Sequence, residues 1–293
     1  MRKIDNIFKV AKANGTQPIS FEIFPPKGEL TLDAARKVTS ELTNLYPNFV
    51  SVTYSAGGSG NSNATADIAA LLQDELDCPA VAHLTCVTAT KKKIEEAVDD
   101  LKNKGIQNVL ALRGDIPKGV EPINEFTYAK DLIPLLKEAG FCVGAAAYPE
   151  NHVDCFDSKL NIQHLKQKQE AGADFFVTQL FFDNESFFRF WDDALNAGIT
   201  RPITAGIMPF LSKEQITRMV FMCGASLPAP IVKILHKYEH DPVSLRKAGI
   251  EYAAQQFIEL SSQGVDGLHL YTMNQPDIAQ TVVGELRKDW HSR

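Results

Sequence analysis

The sequence predicts an α/β fold: a closed barrel of eight parallel strands, a (βα)8 TIM barrel, in one domain spanning 1–293, with an extra helix before the last unit. Three observations carry that expectation. Short apolar runs alternate with segments of helical periodicity, the pattern of right-handed parallel crossovers. The runs are predominantly apolar, as strands covered on both faces are. All but one of them exit into polar side chains, and in a parallel barrel the reactive groups sit at the carboxyl ends of the strands.

The strand runs fall near 18–23, 49–53, 80–84, 108–112, 142–147, 174–178, 203–207 and 267–270. Ile19-Ser20-Phe21 exits at Glu22, Phe49 to Val52 at Thr53-Tyr54, and Ala80 to Ala82 at His83. Val109 to Leu112 leads to Arg113-Gly114-Asp115, Val143 to Ala147 leads to Tyr148, and Phe175 to Val177 leads to Thr178-Gln179. Ile203 to Ile207 runs into Met208-Pro209, the apolar exception, and Leu268-His269-Leu270 reaches Tyr271-Thr272. Helical stripes lie between them: Leu32, Ala35, Val38, Leu42 and Leu45; then Ile94, Ala97, Val98 and Leu101. Phe187, Phe190, Trp191, Ala194 and Leu195 form another, as do Ile250, Ala253, Ala254, Phe257 and Ile258. Gly105, Gly140, Gly172, Gly198 and Gly264 each stand shortly before a strand, where a helix exit favours glycine. Pro228 to Asp241 reads as the extra helix.

An open doubly wound sheet is the alternative architecture. It needs a glycine-rich phosphate turn after the first strand, but Phe21 to Lys27 reads FEIFPPK, without GxGxxG. Gly57-Gly58-Ser59-Gly60 follows the second strand and lacks the Lys-Ser/Thr of a P-loop. It reads as a mobile loop over the barrel mouth.

Composition excludes several classes of function. A net charge of −6 argues against a nucleic-acid binder, and Lys91-Lys92-Lys93 opens a helix as a solvated face. No apolar stretch reaches the length of a membrane span, and Met1 to Gln17 is charged, without the apolar core of a signal peptide. The five scattered cysteines suit a reducing cytoplasm better than a disulfide framework. Cys86 reads as a small buried hydrophobe rather than a nucleophile. His83 and His152 have no partners at metal-ligand spacing, so no metal is expected and a neutral ring bonding a ligand is the better reading.

Five strand-end or helix residues carry candidate chemistry. Glu22, between Phe21 and Phe24, is expected among aromatic rings that disfavour its charged form, which suits a general acid; a salt-bridged strand end is the ordinary alternative. Arg113 offers a planar donor fork and Asp115 an acceptor for N–H groups, with an Arg–Asp structural pair as the alternative. Gln179 supplies an amide that can both donate and accept along a heterocycle edge. Lys168 is a candidate phosphate partner, although a solvated helix lysine is the simpler reading.

Taken together, the chain resembles the methylenetetrahydrofolate reductase family in its short bacterial form, catalytic domain only, from about Ser20 to Val283. The resemblance rests on FEIFPP (21–26), FVSVTY (49–54), AHLTC (82–86), ALRGD (111–115), AAYPE (146–150), TQLFFD (178–183), GIMP (206–209) and HLYTMN (269–274), in that order. It implies a flavoprotein that holds FAD noncovalently. It also implies reduction of 5,10-methylenetetrahydrofolate to 5-methyltetrahydrofolate by a ping-pong hydride relay, with NAD(P)H or an electron-donating partner protein as donor. Carried over by position, Glu22 and Asp115 are the catalytic pair. Thr53, Tyr54, Ala56, His83, Arg113, Gly114, Asp115, Tyr128, Ala129, Tyr148, His152, Asn161, His164 and Lys168 fall at cofactor positions. Glu22, Asp115, Gln179, Gln215, Tyr271 and Gln275 fall at substrate positions. A homo-oligomer is compatible with the resemblance; nucleic acid and a membrane span are not expected.

The chain departs from the family pattern at Asn161, where an aspartate is common, at Met219, where some relatives have phenylalanine, and at Gln275, where several have arginine. Two other classes of function remain open on the residues alone. One is a pterin-binding barrel methyltransferase without flavin, and the other is a non-catalytic subunit that keeps the fold for assembly.

Overall fold

The computed structural model describes residues 3–25, 32–54, 62–116, 119, 121–123 and 125–292. Ala56 and the glycine-rich stretch 57–60 lie outside them, so the expectations placed there have no structural counterpart. In chain order the elements are α1 (Ile4–Ala13), β1 (Ile19–Ile23), α2 (Leu32–Thr43), β2 (Phe49–Val52), α3 (Ser62–Asp74), β3 (Ala80–Thr85) and α4 (Lys91–Asn103). They continue with β4 (Asn108–Leu112), α5 (Ala129–Glu138), β5 (Cys142–Ala147), α6 (Ser158–Glu170), β6 (Phe175–Thr178) and α7 (Asn184–Asn196). The last are β7 (Ile203–Ile207), α8 (Lys213–Cys223), α9 (Ala229–Lys237), α10 (Pro242–Ser262), β8 (Gly267–Tyr271) and α11 (Pro276–Ser292).

The strands pair in sequence order, all parallel, and β8 closes on β1. The expected TIM barrel is therefore present, with strand limits within one residue of those read from the sequence. The extra helix is α9, lying between α8 and the 21-residue α10. All five glycines expected at helix exits have positive φ, from 69° to 114°.

Alternation along each strand divides the chain into two cores. Ile19, Phe21 and Ile23 of β1 face the helices and belong to the large strand–helix core. Ser20 and Glu22 point the other way, into the barrel. At the amino ends of the strands the interior is closed by α1, a helix the sequence reading did not foresee. Phe8 stands 6.4 Å from Phe49 and 6.0 Å from Phe175, ring centre to ring centre, and Ile4 completes this apolar floor. The α1 backbone is fixed to the barrel where the Ile4 N–H donates to Asn108 Oδ1 at 3.0 Å. Two residues further along their strands, Ser51, His83 and His269 stand above the floor. The interior thus turns from aromatic to polar over one layer.

Candidate active site at the barrel mouth

One cavity of about 910 Å³ opens at the carboxyl ends of the strands. Its lining includes Glu22, Thr53, Tyr54, His83, Arg113, Gly114, Asp115, Tyr148, His152, Gln179 and Tyr271. Most of the strand-end residues singled out in the sequence are therefore brought to one place, by the parallel register that puts every carboxyl end on the same face.

Glu22 lies deep in this cavity with a fifth of its side chain exposed, and its surroundings differ from the expectation. Phe21 faces the helix layer, and Phe24 is exposed on the rim. Residues adjacent in a strand point to opposite faces, so the Phe21 ring does not cover the carboxyl. Its neighbours are two imidazoles instead: His83 Nε2 at 3.6 Å and His269 Nε2 at 3.8 Å from Oε2. Burial holds His83 below the ordinary histidine range, while the Glu22 carboxylate pulls in the opposite direction. The backbone of Glu22 is fixed by β8, since the Thr272 hydroxyl donates to its carbonyl at 2.7 Å.

On the β4 side, Gly114 adopts φ +83°, and a Cβ there would come within 2.8 Å of the Thr85 side chain. Glycine lets the Arg113–Asp115 turn fold down against β3. Arg113 does not pair with Asp115, the alternative considered from sequence. Its Nη2 donates to Asp154 of the β5–α6 connection at 3.2 Å, leaving Asp115 exposed at the mouth. Tyr148 stands edge-on to His152 at 4.9 Å, and burial pushes its hydroxyl up to about 12. Behind it the Lys168 ammonium donates to Ala146 O at 2.8 Å and lies 5.2 Å from the Tyr148 ring. Desolvation pulls this lysine down to about 8, so it is not the solvated helix lysine of the simpler reading.

On the β6–β8 side, Gln179 Oε1 accepts from the Leu180 N–H at 2.9 Å. The Tyr271 hydroxyl donates to Thr178 O at 2.6 Å, and burial holds it well above the ordinary tyrosine range. A Cβ at Gly206 would lie 2.9 Å from the Tyr271 ring, so glycine makes the room for that ring.

Other expected site residues lie outside the lining. Asn161 is buried and donates its amide to Tyr148 O at 2.9 Å, which supports the cavity wall from behind. Tyr128 caps α5 and is half exposed, Ala129 is buried at the first turn of that helix, and His164 is exposed on α6. Gln215 closes the start of α8, accepting from the Leu211 N–H at 2.6 Å and reaching Met273 Sδ at 2.8 Å. Gln275 accepts from Arg246 at 2.9 Å, and Met219 packs against the smaller apolar cluster around Phe182 and Phe210. The sequence reading missed His269, taken there as part of an apolar run. Its signal was the two-residue spacing to Tyr271, which places both on the interior face. Asp154 had no such signal.

The sequence matches the family profile described as methylenetetrahydrofolate reductase over residues 7–287. A 5,10-methylenetetrahydrofolate reductase of Escherichia coli K12 is 35% identical over 274 residues, covering 93% of this chain and 92% of that protein. The chain belongs to the methylenetetrahydrofolate reductase family. A rice protein named probable methylenetetrahydrofolate reductase (NADH) is 36% identical over 290 residues, covering 94% of this chain. The chain spans about half the length of such plant relatives, 48% of the rice protein. Among solved structures, an uncharacterized protein from Clostridium thermocellum, described as binding two copies of 5-methyl-5,6,7,8-tetrahydrofolic acid, superposes with a TM-score of 0.68. It covers 98% of this chain and all of that one at 14% identity, a likeness of fold. A tryptophan synthase structure from M. tuberculosis, at TM-score 0.60 and 12% identity, shares the barrel in the same sense. Among the described residues no helix is long and apolar enough to cross a membrane, and no three His, Cys, Asp or Glu side chains gather as a metal site.

Proposed function

We propose that this chain, acting as one catalytic domain in the cytoplasm, reduces 5,10-methylenetetrahydrofolate to 5-methyltetrahydrofolate with noncovalently held FAD. Donor and folate use the mouth in turn. The observation that carries this reading is the single cavity in which Glu22, Asp115, Gln179 and Tyr271 face one another, in a chain of this family.

The residues present fit a flavin nucleotide. The Lys168 ammonium has no carboxylate partner among the described residues, and the Arg113 guanidinium lines the cavity, so an anionic diphosphate has cationic groups to meet. Thr53, Tyr54, His83, Gly114, Tyr148 and His152 offer flat or hydrogen-bonding surface for the rest of the group. When bound, FAD supplies the two-electron carrier between donor and folate.

The chain's own groups then have distinct tasks. Glu22 gives a proton to a bridging nitrogen of the folate, which opens the five-membered ring to a carbon that can accept hydride. Asp115, exposed and free of Arg113, accepts from the pterin N–H groups. Gln179 has its oxygen occupied by Leu180, so it offers Nε2 as a donor. Tyr271 has its hydroxyl occupied by Thr178, so it offers a ring face. NADH is the donor this reading favours, since the rice relative carries NADH in its name.

The test is anaerobic stopped-flow on the purified protein. Flavin absorbance should bleach with NADH and return with 5,10-methylenetetrahydrofolate. Bleaching by reduced ferredoxin alone would make a partner protein the donor. A protein with no flavin bands after reconstitution, yet active in methyl transfer, would replace this reading with the methyltransferase one.

A further inference from the structure

Beneath Glu22 the barrel holds polar groups that the reaction above does not use. His269 is fully buried, with Nδ1 2.8 Å from Ser20 Oγ. Its Nε2 has no hydrogen-bond partner and faces Glu22 Oε2 at 3.8 Å. That gap is less than 1 Å beyond a hydrogen bond, so a small turn of the flexible Glu22 side chain closes it.

The direction of the bond follows from Ser20. Its hydroxyl carries one proton and has two acceptors in reach, Leu268 O at 3.2 Å and His269 Nδ1 at 2.8 Å. A carbonyl can only accept, whereas Nδ1 can donate. Both contacts are satisfied when Ser20 donates to Leu268 and His269 Nδ1–H donates to Ser20. Nε2 is then a bare lone pair aimed at the carboxyl. Only a protonated Glu22 can satisfy it.

We propose that His269 is a positioning residue that holds Glu22 as the carboxylic acid, its Nε2 lone pair accepting the carboxyl proton until the folate nitrogen takes it, with Ser20 selecting the tautomer. The inference rests on the reading of Glu22 as the general acid. The other titratable groups around the carboxyl are His83 from β3 and Tyr271 from β8, with Arg113 and Asp115 from the end of β4 on the cavity wall. Burial favours the neutral form of both His83 and Tyr271, so neither places a full charge beside the acid. The proton balance closes through solvent. Glu22 gives its proton to the folate nitrogen, becomes a carboxylate, and takes a proton from water at the mouth once product has left. The Phe8–Phe49–Phe175 floor offers no route from below.

The experiment follows folate reduction by the reduced, FAD-loaded protein as a function of pH, in wild type, His269→Phe and Ser20→Ala. Loss of the acid form gives a falling limb at high pH. Without the His269 lone pair that limb should move to lower pH by about one unit, the effect of one ordinary hydrogen bond to the neutral form. Reduction of the flavin by the donor should keep its wild-type profile. A limb that stays in place, or moves to higher pH because His269 donates to a carboxylate, overturns the proposal. Infrared difference spectra of the protein without substrate give a second readout that needs no turnover. The carboxylic-acid band abolished by Glu22→Gln should disappear at lower pH in His269→Phe and Ser20→Ala, and equal titration in all three proteins also overturns it. The two levels separate cleanly. Folate reduction that survives Glu22→Gln removes the general acid itself, whereas an inactive Glu22→Gln with an unmoved limb removes only the role of His269.

Discussion

Asn274→Ala should loosen the end of the strand that carries Glu22, and its cost can be worked from three contributions. Asn274 has φ +56°, next to Met273 at +54°. Its side chain accepts from the Phe24 N–H at 3.0 Å and donates to Phe24 O at 2.8 Å, extending the β1–β8 seam beyond the regular ladder. Each of the two bonds is worth about 0.5–1.5 kcal/mol net, and their exposure places them near the lower end. Alanine in the left-handed region adds about 1 kcal/mol, because its Cβ crowds the carbonyl and it lacks the local bonding open to asparagine. The sum is about 2–3 kcal/mol, or roughly 3–5 °C in melting temperature for a chain of this size. Glycine at the same position loses the hydrogen bonds without the left-handed penalty, so Asn274→Gly should be about 1 kcal/mol less damaging than Asn274→Ala. Urea denaturation of the three proteins measures this directly, and folate turnover should fall with stability because Phe24 is two residues from Glu22. If Asn274→Gly proved as damaging as Asn274→Ala, or both matched wild type, the clamp argument would be wrong.

Three further outcomes follow from the same geometry. Glu22→Gln should leave flavin binding and its reduction by the donor near wild type while folate reduction falls by about 10²–10⁴-fold, read by separate half-reaction kinetics. Lys168→Met should raise the melting temperature in the absence of ligands. In wild type the lysine is pulled from 10.5 to about 8, so the unfolded chain binds more protons. The penalty is fully present below pH 8 and fades as pH rises toward 10.5, so the gain in the variant should fade over the same window; the same variant should bind FAD more weakly, seen by titration. Phe8→Ala should cost about 3–5 kcal/mol in denaturant unfolding by opening a void in the barrel floor, with little change in the KM for folate.

The sequence made the barrel legible because its two periods are unmixed. Phe175 to Val177 is apolar on both faces and is followed by a helix with a clear stripe, Phe187, Phe190, Trp191, Ala194 and Leu195. The site was legible to the extent that a strand end is a fixed place, so Glu22, Thr53, His83, Arg113, Asp115, Gln179 and Tyr271 could be grouped before any geometry was known. What the sequence did not show is the orientation of partners across the barrel. Flanking rings suggested an aromatic pocket for Glu22, but the pleat sends Phe21 to the helices, and the true neighbours, His83 and His269, come from strands 61 and 247 residues away. Nothing local to FEIFPP encodes that proximity. Arg113 choosing Asp154 over Asp115 is the same kind of event, settled by the path of the β5–α6 connection. The helix α1 escaped notice because it precedes the first strand, outside the repeating unit on which the fold reading rested.

The barrel separates stability from chemistry along its axis. The floor is aromatic and sealed, and Asn108 ties α1 to it with a buried hydrogen bond. Above it Ser51 Oγ, His83 Nε2 and His269 Nε2 are buried without partners. Unsatisfied groups of that kind cost about 1–3 kcal/mol each, so a chain selected for stability alone would have filled the layer with valine and leucine. A polar layer kept directly under a carboxylic acid makes sense if it governs that acid's proton. The sealed floor then has a kinetic consequence. Glu22 can regain its proton only through the mouth, which is also the entrance for folate and donor. On the proposed reading, recovery of the acid waits for product to leave, and the next ligand to enter is the electron donor, whose step does not need the proton. Alternating use of one door and recharging of one acid are therefore compatible in a single cavity, without a second channel through the protein.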